Sequence, residues 1–278
     1  MKKVSKLTGL AGALLLGSTI FLGNGKAHAE VASYPYNGLS STNYNQSMSL
    51  KPNAGTIHMK HIQNPKKAGY SAIGRVSNYD GWKGQGKDSM GTGFIIDAHT
   101  FITNLHVVQN ANGKIARSQD VRMVTERNGS HHKYTFNASS IQKVPGADAV
   151  VVHTNQNMSK YVKPLKLASS KTINNLHTGD QFKAPGYDKY KLHGSTNDNT
   201  KLWEAKGRFL RTTTNGKEMM TKQIFRSGGS GSPILTKDNR VMGISAYGWN
   251  LNGTSGNELA GGFKFTNNVR SFIQKHMK

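Results

Sequence analysis

From about residue 70 to residue 265 the sequence is a succession of short runs of β-branched and aromatic residues. Gly, Asn, Asp, Ser and Pro separate them, and no sustained helical period appears. Such a pattern predicts many short antiparallel strands. Candidate strands occupy 71–76, 91–96, 100–103, 121–126, 133–136, 140–144 and 148–152. Asp97-Ala98-His99 turns the second of these into the third as a hairpin. A polar linker over 155–161 precedes a second set at 181–184, 202–210, 219–224, 232–235, 241–246 and 262–265. Two sets of strands predict an all-β chain of two antiparallel barrels, 70–160 and 161–278, with the active groups between them. The second closes with a helix over 267–278, in which Val269, Phe272, Ile273 and His276 share one face.

Upstream of the barrels the chain has a different character. Residues 1–6 are basic, 7–22 are apolar, and Ala27-His28-Ala29 is a small-x-small cleavage site, the pattern of a secretory signal peptide over 1–29. The apolar run is short for a bilayer span, so no membrane anchor is expected. The mature chain would begin at Glu30 and be secreted, extracellular and monomeric. Residues 30–69 are polar with Pro35, Pro52 and Pro65 as breakers, and read as an extended or disordered arm. An exported chain without cysteine must be held by its core alone, which about 250 residues suffice to build. Loss of Lys2, Lys3, Lys6 and Lys26 with the leader takes the formal charge from +23 to +19. That surface favours acidic protein substrates, but the cations are scattered and no nucleic-acid module is recognisable.

The densest chemical signal is FRSGGSGSPIL over 225–235. Closely spaced glycines let a backbone turn its N–H groups toward one point, and a serine held there can act as a nucleophile beside an oxyanion site. Its base would be His106, directly after a predicted strand in TNLHVV. The acid would be Asp148, alone among the candidate aspartates in being embedded in an apolar segment, VPGADAVVV. Asp120, Asp180, Asp188 and Asp198 sit among polar neighbours and read as surface or turn residues. The chain order His106, Asp148, Ser230 is that of chymotrypsin-type barrels rather than of subtilisin or the α/β-hydrolases. No metal or other cofactor is expected. His131-His132 are adjacent rather than helically spaced, and HExxH is absent.

The motifs GTGFII (91–96), TNLHVV (103–108), GADAVVV (146–152), LWEAKGR (202–208), GGSGSP (228–233), VMGIS (241–245) and NNVRSFI (267–273) resemble the secreted glutamyl endopeptidases of staphylococci and bacilli. That group includes the Spl proteases and exfoliative toxins. The resemblance implies two six-stranded chymotrypsin-like barrels and a Ser-His-Asp endopeptidase acting on proteins or peptides, with a virulence-associated, exfoliative-toxin-like protease as one version. It implies His106, Asp148 and Ser230 as the triad and the N–H groups of Gly228 and Ser230 as the oxyanion hole.

By the same resemblance the specificity pocket is walled by Ile224, Phe225, Arg226, Ser245, Gly248 and Gly261. Two features depart from the group. Gly229 replaces its usual asparagine before the nucleophile, and Ser245 and Phe225 replace the histidine and threonine associated with glutamate preference. Gly248 and Gly261, without side chains, imply an open pocket mouth, and the two departures imply a preference for neutral or apolar residues and a gain in activity from Gly229→Asn. They also give support to an alternative: a catalytically weak homologue that binds an anionic partner through its basic surface.

Overall fold

The computed structural model describes residues 36–80, 89–110, 112–190, 200–249 and 258–278. The leader, the start of the arm and Asp198 lie outside these residues. Fourteen strands are present among the described residues. β1 (His58–His61) belongs to the arm. β2 (Ile73–Asn78), β3 (Ser89–Ile95), β4 (Thr100–Thr103), β5 (Val121–Thr125), β6 (Tyr134–Lys143) and β7 (Val150–Thr154) close a barrel in the order β2-β3-β4-β7-β6-β5. After a short β8 (Lys166–Leu167) come β9 (Gln181–Gly186), β10 (Trp203–Thr212), β11 (Glu218–Lys222), β12 (Pro233–Leu235), β13 (Arg240–Gly248) and β14 (Leu259–Lys264). They run β10-β11-β14-β13-β12-β9, and β9 pairs back onto β10 to close a second six-stranded barrel. The fold is the two-barrel, chymotrypsin-like architecture.

Alternation explains each barrel. In β5, Val121 and Met123 turn inward while Arg122 faces solvent, and β7 is buried throughout because it is covered on both sides. Ile73, Phe94, Ile102, Met123, Phe136 and Val151 are at most 1% exposed, and burying each side chain contributes about 1.5–3 kcal/mol. The runs expected separately at 133–136 and 140–144 form the single strand β6. A register shift between Ala138 and Ser140 bends it, a bulge that period-2 reading interprets as a break.

The arm is the larger departure from expectation. Residues 41–50 form a helix, α1 (Ser41–Leu50), capped by Ser40, whose Oγ accepts the Asn43 N–H at 3.3 Å. It has no apolar stripe, which is why its period was invisible. Asn43 holds it instead, donating through Nδ2 to Asn37, Ser40 and Thr214. Tyr44, Met48 and Leu50 then pack with Trp249 against Ala54, Leu210, Met220 and Leu259. Further along, β1 extends the second barrel by pairing with β10. A short α2 (Ser170–Asn174) precedes β9, and the chain ends in α3 (Asn267–Lys275). Val269 and Ile273 of α3 are buried as expected, and Phe272 stacks on His276 at 4.1 Å. The His276 carbonyl accepts from His153 Nε2 at 2.7 Å, so this helix fastens onto the first barrel.

Candidate active site

Three turns meet between the barrels. The first follows β4, where a single 3-10 turn begins at His106. The second joins β6 to β7 and carries Asp148, buried to 1%. His106 Nδ1 lies 2.6 Å from Asp148 Oδ2, and the His106 backbone N–H donates to Oδ1 at 3.1 Å. Asn104 locks this turn by donating from Nδ2 to the Asp148 carbonyl at 2.6 Å. Burial alone would raise the Asp148 pKa. The charge and ring N–H of His106, the Tyr36 phenol and the His106 backbone N–H outweigh it and hold the carboxyl below its ordinary value of 3.8. An ionised carboxylate on Nδ1 leaves Nε2 as the free, basic nitrogen.

The third turn is the glycine loop. Ser230 donates its hydroxyl to the Ala246 carbonyl at 3.3 Å rather than to His106. Two strands of the first barrel seat it. The Thr92 N–H donates to the Ser230 carbonyl at 2.7 Å, and the Thr92 hydroxyl donates to the Gly228 carbonyl at 2.8 Å. That hydroxyl also accepts the Tyr187 N–H at 2.9 Å, and Thr103 Oγ1 donates to the Thr92 carbonyl at 2.7 Å. So close an approach needs glycine. Gly231 has φ +91°, and a Cβ there would overlap the Thr92 carbonyl; a Cβ on Gly91 would lie 2.7 Å from the Ser230 carbonyl. With both carbonyls drawn away, the backbone N–H groups of Gly228 and Ser230 have no hydrogen-bond partner among the described residues.

The expected pocket residues do gather, with a different arrangement. Ile224 and Phe225 are 5% exposed and Ser245 is fully buried. Where Gly248 lacks a side chain the Phe225 ring has moved in, 2.9 Å from where a Cβ would be, and the Tyr247 ring covers Gly261. The mouth expected to be open at these glycines is therefore filled by aromatic neighbours. Arg226 is 2% exposed. Its Nη2 donates to Glu258 Oε1 at 2.7 Å, its Nη1 to Glu258 Oε2, and Nη1 also to the Phe225 carbonyl at 2.9 Å. The pocket base is polar: Gln223 Oε1 and Ser232 Oγ are buried without a hydrogen-bond partner among the described residues.

Two functional neighbours escaped the sequence reading. Asp188, taken for a surface residue, is 3% exposed and lies against the glycine loop. The aromatic flanks Tyr187 and Tyr190 were the available signal. Tyr36 packs edge-on to Tyr247 and Phe263, with centroids 5.6 and 5.4 Å away, and interacts with the buried Asp148. Nothing local in the arm marks it. His131 and His132 are exposed and take no part in the site.

Residues 91–244 match the trypsin-like peptidase domain. Among solved structures the chain is similar to a Glu endopeptidase solved in complex with MPD, at 24% identity over 78% of this chain and 95% of that one, with a TM-score of 0.61. It is also similar to the protease Anisep from Arthrobacter nicotinovorans, at 15% identity over 77% and 96% of the two chains, TM-score 0.58. For the VesB protease of Vibrio cholerae the figures are 15%, 80% and 68%, and 0.57. These three speak to the fold alone. The matched domain runs from the strand that seats Ser230 to the strand beneath it, and the chain belongs to the trypsin-like peptidase family.

Proposed function

We propose that the protein is an exported serine endopeptidase in which Ser230 is the nucleophile, His106 the base and Asp148 its orienting acid. The observation that carries this reading is the 2.6 Å contact of His106 Nδ1 with a buried Asp148. A carboxylate in that setting fixes the tautomer and stabilises the imidazolium formed when Nε2 takes the serine proton. For this the Ser230 hydroxyl must leave the Ala246 carbonyl and turn toward that nitrogen. Oγ then attacks the scissile carbonyl, and the N–H groups of Gly228 and Ser230 receive the oxyanion. His106 returns the proton to the leaving amine. Water, activated by the same imidazole, hydrolyses the acyl-enzyme.

The substrate is a protein or peptide. Arg226, the cation of the described pocket wall, is matched by Glu258, so we assign a preference for neutral over glutamyl residues before the cut bond. Export by cleavage after Ala29 and a role in virulence extend the reading from the leader and the family resemblance. The test is fluorophosphonate labelling of the secreted protein with mapping of the adduct, followed by peptide-library profiling. An adduct on Ser230 and internal peptide cleavage are expected. Absence of labelling in folded protein would return it to the catalytically weak, anion-binding alternative.

A further inference from the structure

Gly229, directly before the proposed nucleophile, has no side chain, and the space where one would begin is occupied. A Cβ built there would overlap Asp188 Oδ1 and lie 3.0 Å from Asp188 Cγ and from the Arg226 carbonyl. The same Oδ1 accepts the Arg226 backbone N–H at 2.9 Å. The glycine loop is thus furnished with a carboxylate delivered from outside, by the segment that follows β9.

Neighbouring bonds make this delivery rigid. Lys189 N donates to the Ser227 carbonyl at 2.7 Å, Tyr190 N to the Asp188 carbonyl at 2.8 Å, and the Arg226 guanidinium lies over the Tyr190 ring at 5.7 Å. Within the loop, Gly229 N donates to the Arg226 carbonyl at 2.9 Å, closing a tight turn whose first N–H is the one Asp188 caps. That turn carries Gly228, and Ser230 follows it directly.

We propose that Asp188 is a positioning residue for the oxyanion-binding loop. It caps Arg226 N in place of a side chain at position 229, and so holds the turn that leaves the Gly228 and Ser230 N–H groups unbonded. This rests on the serine-peptidase reading above. A donor pair contributes to the transition state only if it is preformed, so loosening the turn lowers kcat more than it raises KM. Burial pushes the Asp188 carboxyl up to about 7, offset in part by the Arg226 N–H and charge, and either protonation state retains an oxygen that accepts from Arg226 N. An amide at 188 does the same. The geometry also reverses the expectation that Gly229→Asn restores activity: with Asp188 in place, a side chain at 229 has no room.

The experiment is a cycle of variants in the full secreted chain, each checked for folding by circular dichroism. Asp188→Ala is expected to lose kcat by about 10²–10³-fold, as removal of an oxyanion donor does, with KM within about threefold. Asp188→Asn should stay within about tenfold of wild type, because its amide oxygen can still accept from Arg226 N. Gly229→Asp alone should be severely impaired, and Asp188→Gly with Gly229→Asp should recover at least about tenfold over Asp188→Gly, since the carboxylate then enters from the other side. An unchanged kcat in folded Asp188→Ala, or no recovery in the double variant, overturns the proposal. Hydrogen-exchange protection of the Arg226 amide, lost in Asp188→Ala and kept in Asp188→Asn, needs no turnover. If wild type is not labelled by fluorophosphonate, the peptidase reading fails while this exchange measurement still decides the positioning role.

Discussion

Arg226 and Glu258 face each other as a fork on a carboxylate, both side chains at most 2% exposed, and so join the approach to the glycine loop to the start of β14. In a chain without cysteine this contact ties two segments of the pocket wall. Removing one partner leaves the other buried and unmatched, which costs about 3–5 kcal/mol. We therefore expect Glu258→Gln to lower the melting temperature markedly. The same change frees a cation for a substrate carboxylate, so peptide profiling should show cleavage after glutamate rising relative to wild type. A profile that does not change would show that Arg226 lies out of reach of the substrate.

Ser230→Ala and His106→Ala should each reduce kcat by about 10⁶-fold, and combining them should cost little more, because triad members act as a unit. Near wild-type cleavage by folded Ser230→Ala ends the assignment. Steady-state kinetics on a peptide found by library profiling makes the measurement.

Thr92→Val removes the hydroxyl that accepts from Tyr187 N and donates to the Gly228 carbonyl. Each buried group left without a partner costs about 1–3 kcal/mol. Melting temperature and kcat should fall together in Thr92→Val and be largely restored in Thr92→Ser. Parity of the valine and serine variants would remove this hydroxyl from the account.

Glu218 is fully buried beneath the arm, where Oε2 accepts the Gly38 N–H at 2.6 Å. Burial raises its pKa to about 8 from 4.5, against the opposing pull of the Gly38 and Asn37 N–H groups and the Tyr247 phenol. The folded state therefore holds a proton that the unfolded chain releases, and stability falls as pH rises between those two values. Melting curves from about pH 5 to about pH 8 should decline less steeply for Glu218→Gln than for wild type. Equal slopes would mean that Glu218 titrates normally.

Strand alternation and turn residues made both barrels legible, and Asp148 stood out because an ionised group beside an apolar strand needs a purpose. What escaped was settled by partners distant in sequence. Asp188 sits between Tyr187 and Lys189, where local polarity suggests a turn, and it is buried where the chain brings it against Gly229 and the Arg226 N–H. Arg226 reads as a surface cation until Glu258, directly before β14, arrives opposite it. The helix α1 follows no hydrophobic period because Asn43, not an apolar stripe, anchors it. Gly248 and Gly261 promised space by lacking side chains, but a glycine also admits its neighbours, and Phe225 and Tyr247 entered.

Thr92 belongs to the first barrel and the backbone it holds belongs to the second. The position of Ser230 is thus a property of neither half. With only the first barrel formed, His106 and Asp148 come together but Thr92 has nothing to hold. The seat of the glycine loop is therefore completed only when the two halves dock.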